Sequence, residues 1–142
     1  MKKFDSSNSC FADGGSIIFT ETALVHPKSV DAIFKMAGTL KQKNRKLIIH
    51  QASIQALRNR EWDLYGKPVT EITEAFEVLK HLLKIHLVEI KGEPNDRTTP
   101  VSAQILRYCT EKFQYGKCLI VTQSEDFAKE ISRYQNFCSV AQ

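Results

Sequence analysis

The chain has 142 residues, of which 42% are hydrophobic and 25% charged, and carries a formal net charge of +4. That length suits one domain and buries enough surface to fold without a disulfide or metal staple. The composition excludes a disordered, collagenous or coiled-coil chain, and no apolar run approaches the ~20 residues that a membrane-spanning helix needs.

Residues 1–15, rich in Ser, Asn, Asp and Gly, predict a flexible tail ahead of a single domain over 16–142. Ser16 to Phe19 predicts a first strand. A helix follows over about 29–43, capped by Ser29, with Val30, Ile33, Phe34, Ala37 and Leu40 on its inner face and Asn44 as its stop. Lys46 to His50 predicts a second strand. A short helix over about 52–60 turns Ile54 and Leu57 inward, and Tyr65-Gly66-Lys67-Pro68 is a turn. From Thr70 a longer helix buries Ile72, Ala75, Phe76, Leu79, Leu82 and Leu83, with acids early and lysines late to suit its dipole. Ile85 to Ile90 predicts a third strand, and 92–99 is a polar loop. Thr99-Pro100 opens a helix to about Gln114, ended by Tyr115-Gly116-Lys117. Cys118 to Thr122 predicts a fourth strand, Ser124 or Glu125 leads a helix to about Tyr134, and Asn136 to Val140 is a last strand. Alternating strands and helices of this kind predict a mostly parallel sheet covered on both faces, a three-layer α/β/α sandwich.

Charge is unevenly spread. The whole excess lies in residues 1–71; between Asp31 and Glu61 there is no acid but seven bases, Lys35, Lys41, Lys43, Arg45, Lys46, Arg58 and Arg60. Such a block is the footprint expected of a phosphate-binding surface, or else a solvated face. Trp62 and Tyr65 follow it and could stack on bases or anchor a loop. The four cysteines, Cys10, Cys109, Cys118 and Cys138, have no Cys-x-x-Cys spacing, and Cys118 and Cys138 read as small core residues. The N-terminus has no apolar core of a secretion signal, so the expected compartment is a reducing cytoplasm.

Motif searching narrows the chemistry. No glycine-rich dinucleotide or phosphate-binding loop follows a strand, and no Gly-x-Ser-x-Gly elbow exists. His26, His50, His81 and His86 lack helical metal-ligand spacing. In open parallel sheets, ligands bind beyond the carboxyl ends of the strands. There the chain places Thr20, Glu21 and Thr22, then Gln51, Ser53 and Gln55, then Thr99 and Ser102, and finally Thr122 to Asp126.

The layout from Ser16 to about Ile131 resembles the PIN domain, a family of metal-dependent nucleases. The stretch Ile17-Ile18-Phe19-Thr20-Glu21-Thr22 is similar to the family's opening strand with its Asp-Thr-Asn. Leu47 to Leu57 is similar to its second strand and Glu-bearing helix, Ser102-Ala103-Gln104-Ile105-Leu106 to its Asp-x-x-Ile-Leu helix start, and Leu119 to Phe127 to its strand ending in Thr-Asn-Asp-x-Asp-Leu. The resemblance implies Mg²⁺ or Mn²⁺ held by clustered carboxylates that activate water. Those acids fall here on Thr20, Gln55, Ser102 and Ser124, and only Asp126 keeps its charge. Hard cations need anionic oxygens. The expectation is therefore a PIN-like module without nuclease activity or cofactor. Its pocket is lined by Thr20, Thr22, Gln55, Ser102, Thr122 and Ser124, and the seven-base block binds RNA or DNA. One alternative is an endoribonuclease whose Mg²⁺ or Mn²⁺ site is rebuilt from Glu21, Asp96, Glu125 and Asp126. A second alternative is an interaction scaffold for a protein partner or a second copy of the chain. No membrane association is expected.

Overall fold

The computed structural model describes residues 16–94, 96–112, 118–133 and 137–140, the last segment as backbone only. The expected tail, the turn at 115–117, the helix end at 113–114 and the side chains of Cys10 and Cys138 lie outside the described residues. Among the described residues five strands form one sheet: β1 (Ser16–Phe19), β2 (Leu47–His50), β3 (Val88–Lys91), β4 (Cys118–Val121) and β5 (Phe137–Val140). The order is β3-β2-β1-β4-β5 and every neighbouring pair is parallel. The described helices that connect them are α1 (Glu21–Leu24), α2 (Pro27–Gln42), α3 (Gln51–Arg58), α4 (Thr70–Lys84), α5 (Val101–Lys112) and α6 (Glu125–Ile131).

The two-residue period of a strand sorts the core into two layers. Ile17, Phe19, Leu47, Ile49, Leu119 and Val121 point to one face, where Ile33, Met36 and Leu40 of α2 and Ile72, Ala75, Leu79 and Leu82 of α4 cover them. Ile18, Cys118 and Ile120 point to the other face, against Ile105, Leu106 and Cys109 of α5 and Phe127 and Ile131 of α6. Phe19 is completely buried, a burial that contributes about 1.5–3 kcal/mol. Helices on both faces of the parallel sheet make the expected three-layer sandwich. No helix among the described residues is long and apolar enough to cross a membrane.

Local differences from the sequence reading have local causes. The helix α2 begins at Pro27, whose missing N–H costs nothing in a first turn. His26, not Ser29, is its cap, accepting from Lys28 N–H at 3.3 Å through Nδ1. Ser29 is buried within the helix. Phe34 lies 42% exposed and rests against the His81 ring, while Met36, on the other side of the helix, is buried with Ile33 and Leu40. Leu83 of α4 is also outside the core, 38% exposed. Both α2 and α4 end alike. Arg45 N–H donates to Leu40 O and Asn44 N–H to Lys41 O, while Leu87 N–H donates to Leu82 O and His86 N–H to Leu83 O. Asn44 and His86 take the left-handed conformation this closure demands, with φ 52° and 60°. Because Ile85 and His86 are spent on that closure, β3 starts at Val88 and not at Ile85.

Candidate functional site

All strands run the same way, so their carboxyl ends share one rim. The chain leaves β1 toward one face and β4 toward the other, which opens a crevice between them at the point where the winding reverses. Thr20, Thr22, Thr122 and Ser124 meet there. Thr20 and Thr122 are buried, and Thr20 N–H extends the ladder to Val121 O at 3.1 Å.

Counting protons gives this cluster a direction. Thr20 Oγ1 donates to Val121 O at 2.7 Å, so its 3.1 Å contact with Thr22 Oγ1 must be donated by Thr22. The 3.1 Å contact between Thr22 and Thr122 must then be donated by Thr122. Thr22 Oγ1 also accepts from Gln123 N–H at 3.0 Å, and Thr122 Oγ1 accepts from Ser124 N–H at 3.1 Å. Ser124 Oγ caps α6 by accepting from Phe127 N–H at 3.2 Å. Thr22 has therefore used its one proton and both lone pairs. The hydroxyls form a closed, uncharged relay that ties β1 to β4.

Other expected rim residues go elsewhere. Gln55 does not face the crevice; its amide donates to Asn59 Oδ1 at 2.9 Å along its own helix. Ser53, buried on the inner side of α3, takes the facing place and donates to Glu21 Oε2 at 2.8 Å. Ser102 sits half-buried in the first turn of α5. Gln123 donates to the buried Ser29 Oγ at 2.8 Å.

The four acids proposed for a rebuilt metal site are held apart in role. Asp96 folds its carboxylate onto its own turn. Oδ1 accepts from Thr98 N–H at 2.9 Å and Thr98 Oγ1 at 2.6 Å, and Oδ2 accepts from Thr99 Oγ1 at 2.7 Å. These bonds, Thr98 first, hold its pKa down to about 2. Glu125 and Asp126 are exposed in the first turn of α6, where negative charge suits the helix dipole. Among the described residues no three His, Cys, Asp or Glu side chains converge to hold a metal ion. The three threonine hydroxyls are neutral and Thr22 is saturated, and the nearby carboxylates of Glu21, Glu125 and Asp126 do not converge as a set of three, so the described rim does not fit a hard divalent cation.

The basic block divides. Lys43, Arg45 and Lys46 precede β2, at the amino ends of the strands, and Lys46 pairs with Glu89 at 3.2 Å. Lys35 and Lys41 are exposed along α2. Arg58 and Arg60 instead close α3 and open the 59–69 loop. This loop leads into the start of α4 on the carboxyl side of the sheet. There Asp63 accepts from Tyr65 N–H at 2.8 Å and Lys67 N–H at 2.9 Å, and Trp62 bridges to Pro68. The loop presents Trp62 at 59% exposure and Tyr65 at 87%. Arg58 stacks over Phe76 at 5.2 Å.

Sequence reasoning missed a second site on the same rim. Beyond β2 and β3, over α5, lies a cleft of about 260 Å³ bordered by His50, Gly92, Gln104, Arg107, Tyr108 and Lys112. His50 is 2% exposed and caps α3, its Nδ1 accepting from Ala52 N–H at 2.9 Å. Burial and then Arg107 push its pKa below the ordinary imidazole value, while Glu93 pulls the other way. The signals available were a histidine at a strand-to-helix junction and a glycine just after the next strand. No protein-family model matches the sequence, and no curated protein matches it.

Proposed function

We propose that this chain is a PIN-like α/β module that binds single-stranded nucleic acid, RNA foremost, in the cytoplasm and without a resident metal ion. The observation that carries the reading is the 59–69 loop. It is held in shape by Asp63 and stands on the rim where parallel sheets take their ligands, so its aromatic rings are offered at little ordering cost. Trp62 and Tyr65 supply stacking surfaces; Arg60 and Lys67 of the same loop, with Arg58 at the end of α3, add positive charge for phosphates against Glu61 and Asp63. The neutral hydroxyl relay lessens the repulsion that a full carboxylate cluster would exert on a nucleic-acid backbone, although Glu21, Glu125 and Asp126 keep their charge nearby.

Fluorescence anisotropy of labelled single-stranded RNA and DNA at two salt concentrations tests this. Binding should weaken as salt rises, and Trp62→Ala should weaken it by about 1–3 kcal/mol for the base it stacks. Absence of salt-sensitive binding sinks the reading. Mn²⁺-dependent RNA cleavage that Asp126→Ala abolishes would replace it with the nuclease alternative.

A further inference from the structure

We propose that the cleft over α5, beyond β2 and β3, binds the phosphate group of a small monoester through His50 Nε2–H, Arg107 and Lys112. The site is separate from the nucleic-acid surface above and uses different donors.

The tautomer of His50 follows from its cap. Because Nδ1 accepts from Ala52 N–H, the ring proton sits on Nε2. Nε2 has no hydrogen-bond partner among the described residues, and it is not one of the side-chain atoms sealed from solvent. It is a donor, on a side chain 98% enclosed, that reaches the cleft. Protonation would break the bond at Nδ1, so the ring serves as a fixed neutral donor.

The surroundings keep it fixed. Tyr108 packs edge-on at 5.5 Å, and Gly92 lies against the imidazole ring so tightly that a Cβ there would collide with it. The loop bearing Gly92 is fastened by Gln51, whose amide donates to Gly92 O at 2.9 Å. Buried Gln104 clamps the next turn, accepting from Asp96 N–H at 3.0 Å and donating to Asp96 O and Thr99 O at 2.9 Å each. These walls are organised before any ligand arrives.

Charge selects the ligand. Arg107 and Lys112 border the cleft and make no ion pair among the described residues. A guanidinium fork, an ammonium and a neutral N–H together match the several acceptor oxygens of a phosphate better than the two of a carboxylate. Lys91, held by Glu89, lines the cleft too, and Glu93 and Glu111 on its border oppose the bases, so the small net positive charge suits one phosphate group better than a long polyanion. The volume exceeds what a phosphate needs and leaves room for an organic substituent.

The test is a titration of the full chain with inorganic phosphate, adenosine monophosphate and acetate at matched ionic strength, followed by amide and imidazole NMR shifts. Saturable shifts at Gly92, Arg107 and the His50 ring are expected with both phosphates. Tighter binding of the nucleotide would identify an organic monoester as the ligand, and equal binding the phosphate alone. Arg107→Gln, an exposed change that leaves the core intact, should weaken binding about tenfold or more, and Lys112→Gln by less. Equal response to acetate overturns the phosphate assignment. Absence of saturation at about 10 mM phosphate, or affinity untouched by either variant, overturns the site.

Discussion

Two parts of one sheet rim use polar groups in opposite ways. Between β1 and β4, the place where open parallel sheets usually take a ligand, Thr20, Thr22 and Thr122 satisfy one another and Val121 O. Over β2 and β3, His50 Nε2 and Arg107 are left unpaired among the described residues, against a concave wall. A buried hydroxyl with every bond made holds the fold together. A buried donor with a bond to spare, kept rigid, has its remaining capacity turned outward. Hydrogen-bond accounting thus separates structure from binding on a rim where position alone would favour the first region.

Substitutions can break this contrast. The largest effect is expected from Gly92→Ala. At φ 98° a side chain is strained, and its Cβ runs into the His50 ring. Chemical denaturation should show a loss of about 3 kcal/mol or more, since backbone strain and overpacking add, and the imidazole resonances should move. Thr122→Val keeps the shape but removes the donor to Thr22 and the acceptor for Ser124 N–H. About 1–3 kcal/mol should be lost in the same assay, with phosphate binding unchanged. If Thr122→Val instead alters ligand binding at the α5 cleft, the two regions are not separate.

A pH titration sharpens the contrast further. Asp96 has a folded pKa of about 2 against an ordinary 3.8. Its depressed value means that its contribution is present above pH 3.8 and fades as pH falls toward about 2. Carboxyl NMR should place its midpoint near the lower figure; a midpoint near the ordinary one would show that Thr98 and Thr99 do not hold it. The smallest effect is expected from Lys46→Ala. It removes an exposed ion pair with Glu89 and should shift stability by less than about 1 kcal/mol, less still in high salt.

The sandwich was legible because its strongest signals are local. Ile17-Ile18-Phe19, Leu47-Ile48-Ile49 and Cys118 to Val121 are apolar runs spaced by amphipathic helices, and such alternation admits few architectures. The one-turn helix α1 escaped notice because four residues are too few to show a period. Phe34 misled because it lies at one edge of the apolar stripe, while the core covers the side of the helix bearing Ile33, Met36 and Leu40. At the rim, Thr20, Thr22, Thr122 and Ser124 could be placed together from strand direction alone. Gln55 could not, since which side of α3 faces inward depends on packing against α1, and Ser53 took that place. The His50 cleft was hidden because it needs α5, some fifty residues later in the chain, to supply its far wall.

The sheet's β3 border bears on the chain's behaviour at high concentration. Its outermost strand is only four residues long and carries Glu89 tethered to Lys46 and Lys91. A foreign strand that tried to zip onto it would gain few backbone bonds and would crowd three fixed charges. Ile90 alone offers it a greasy foothold. At this border of the sheet the sequence thereby disfavours fibril-like stacking.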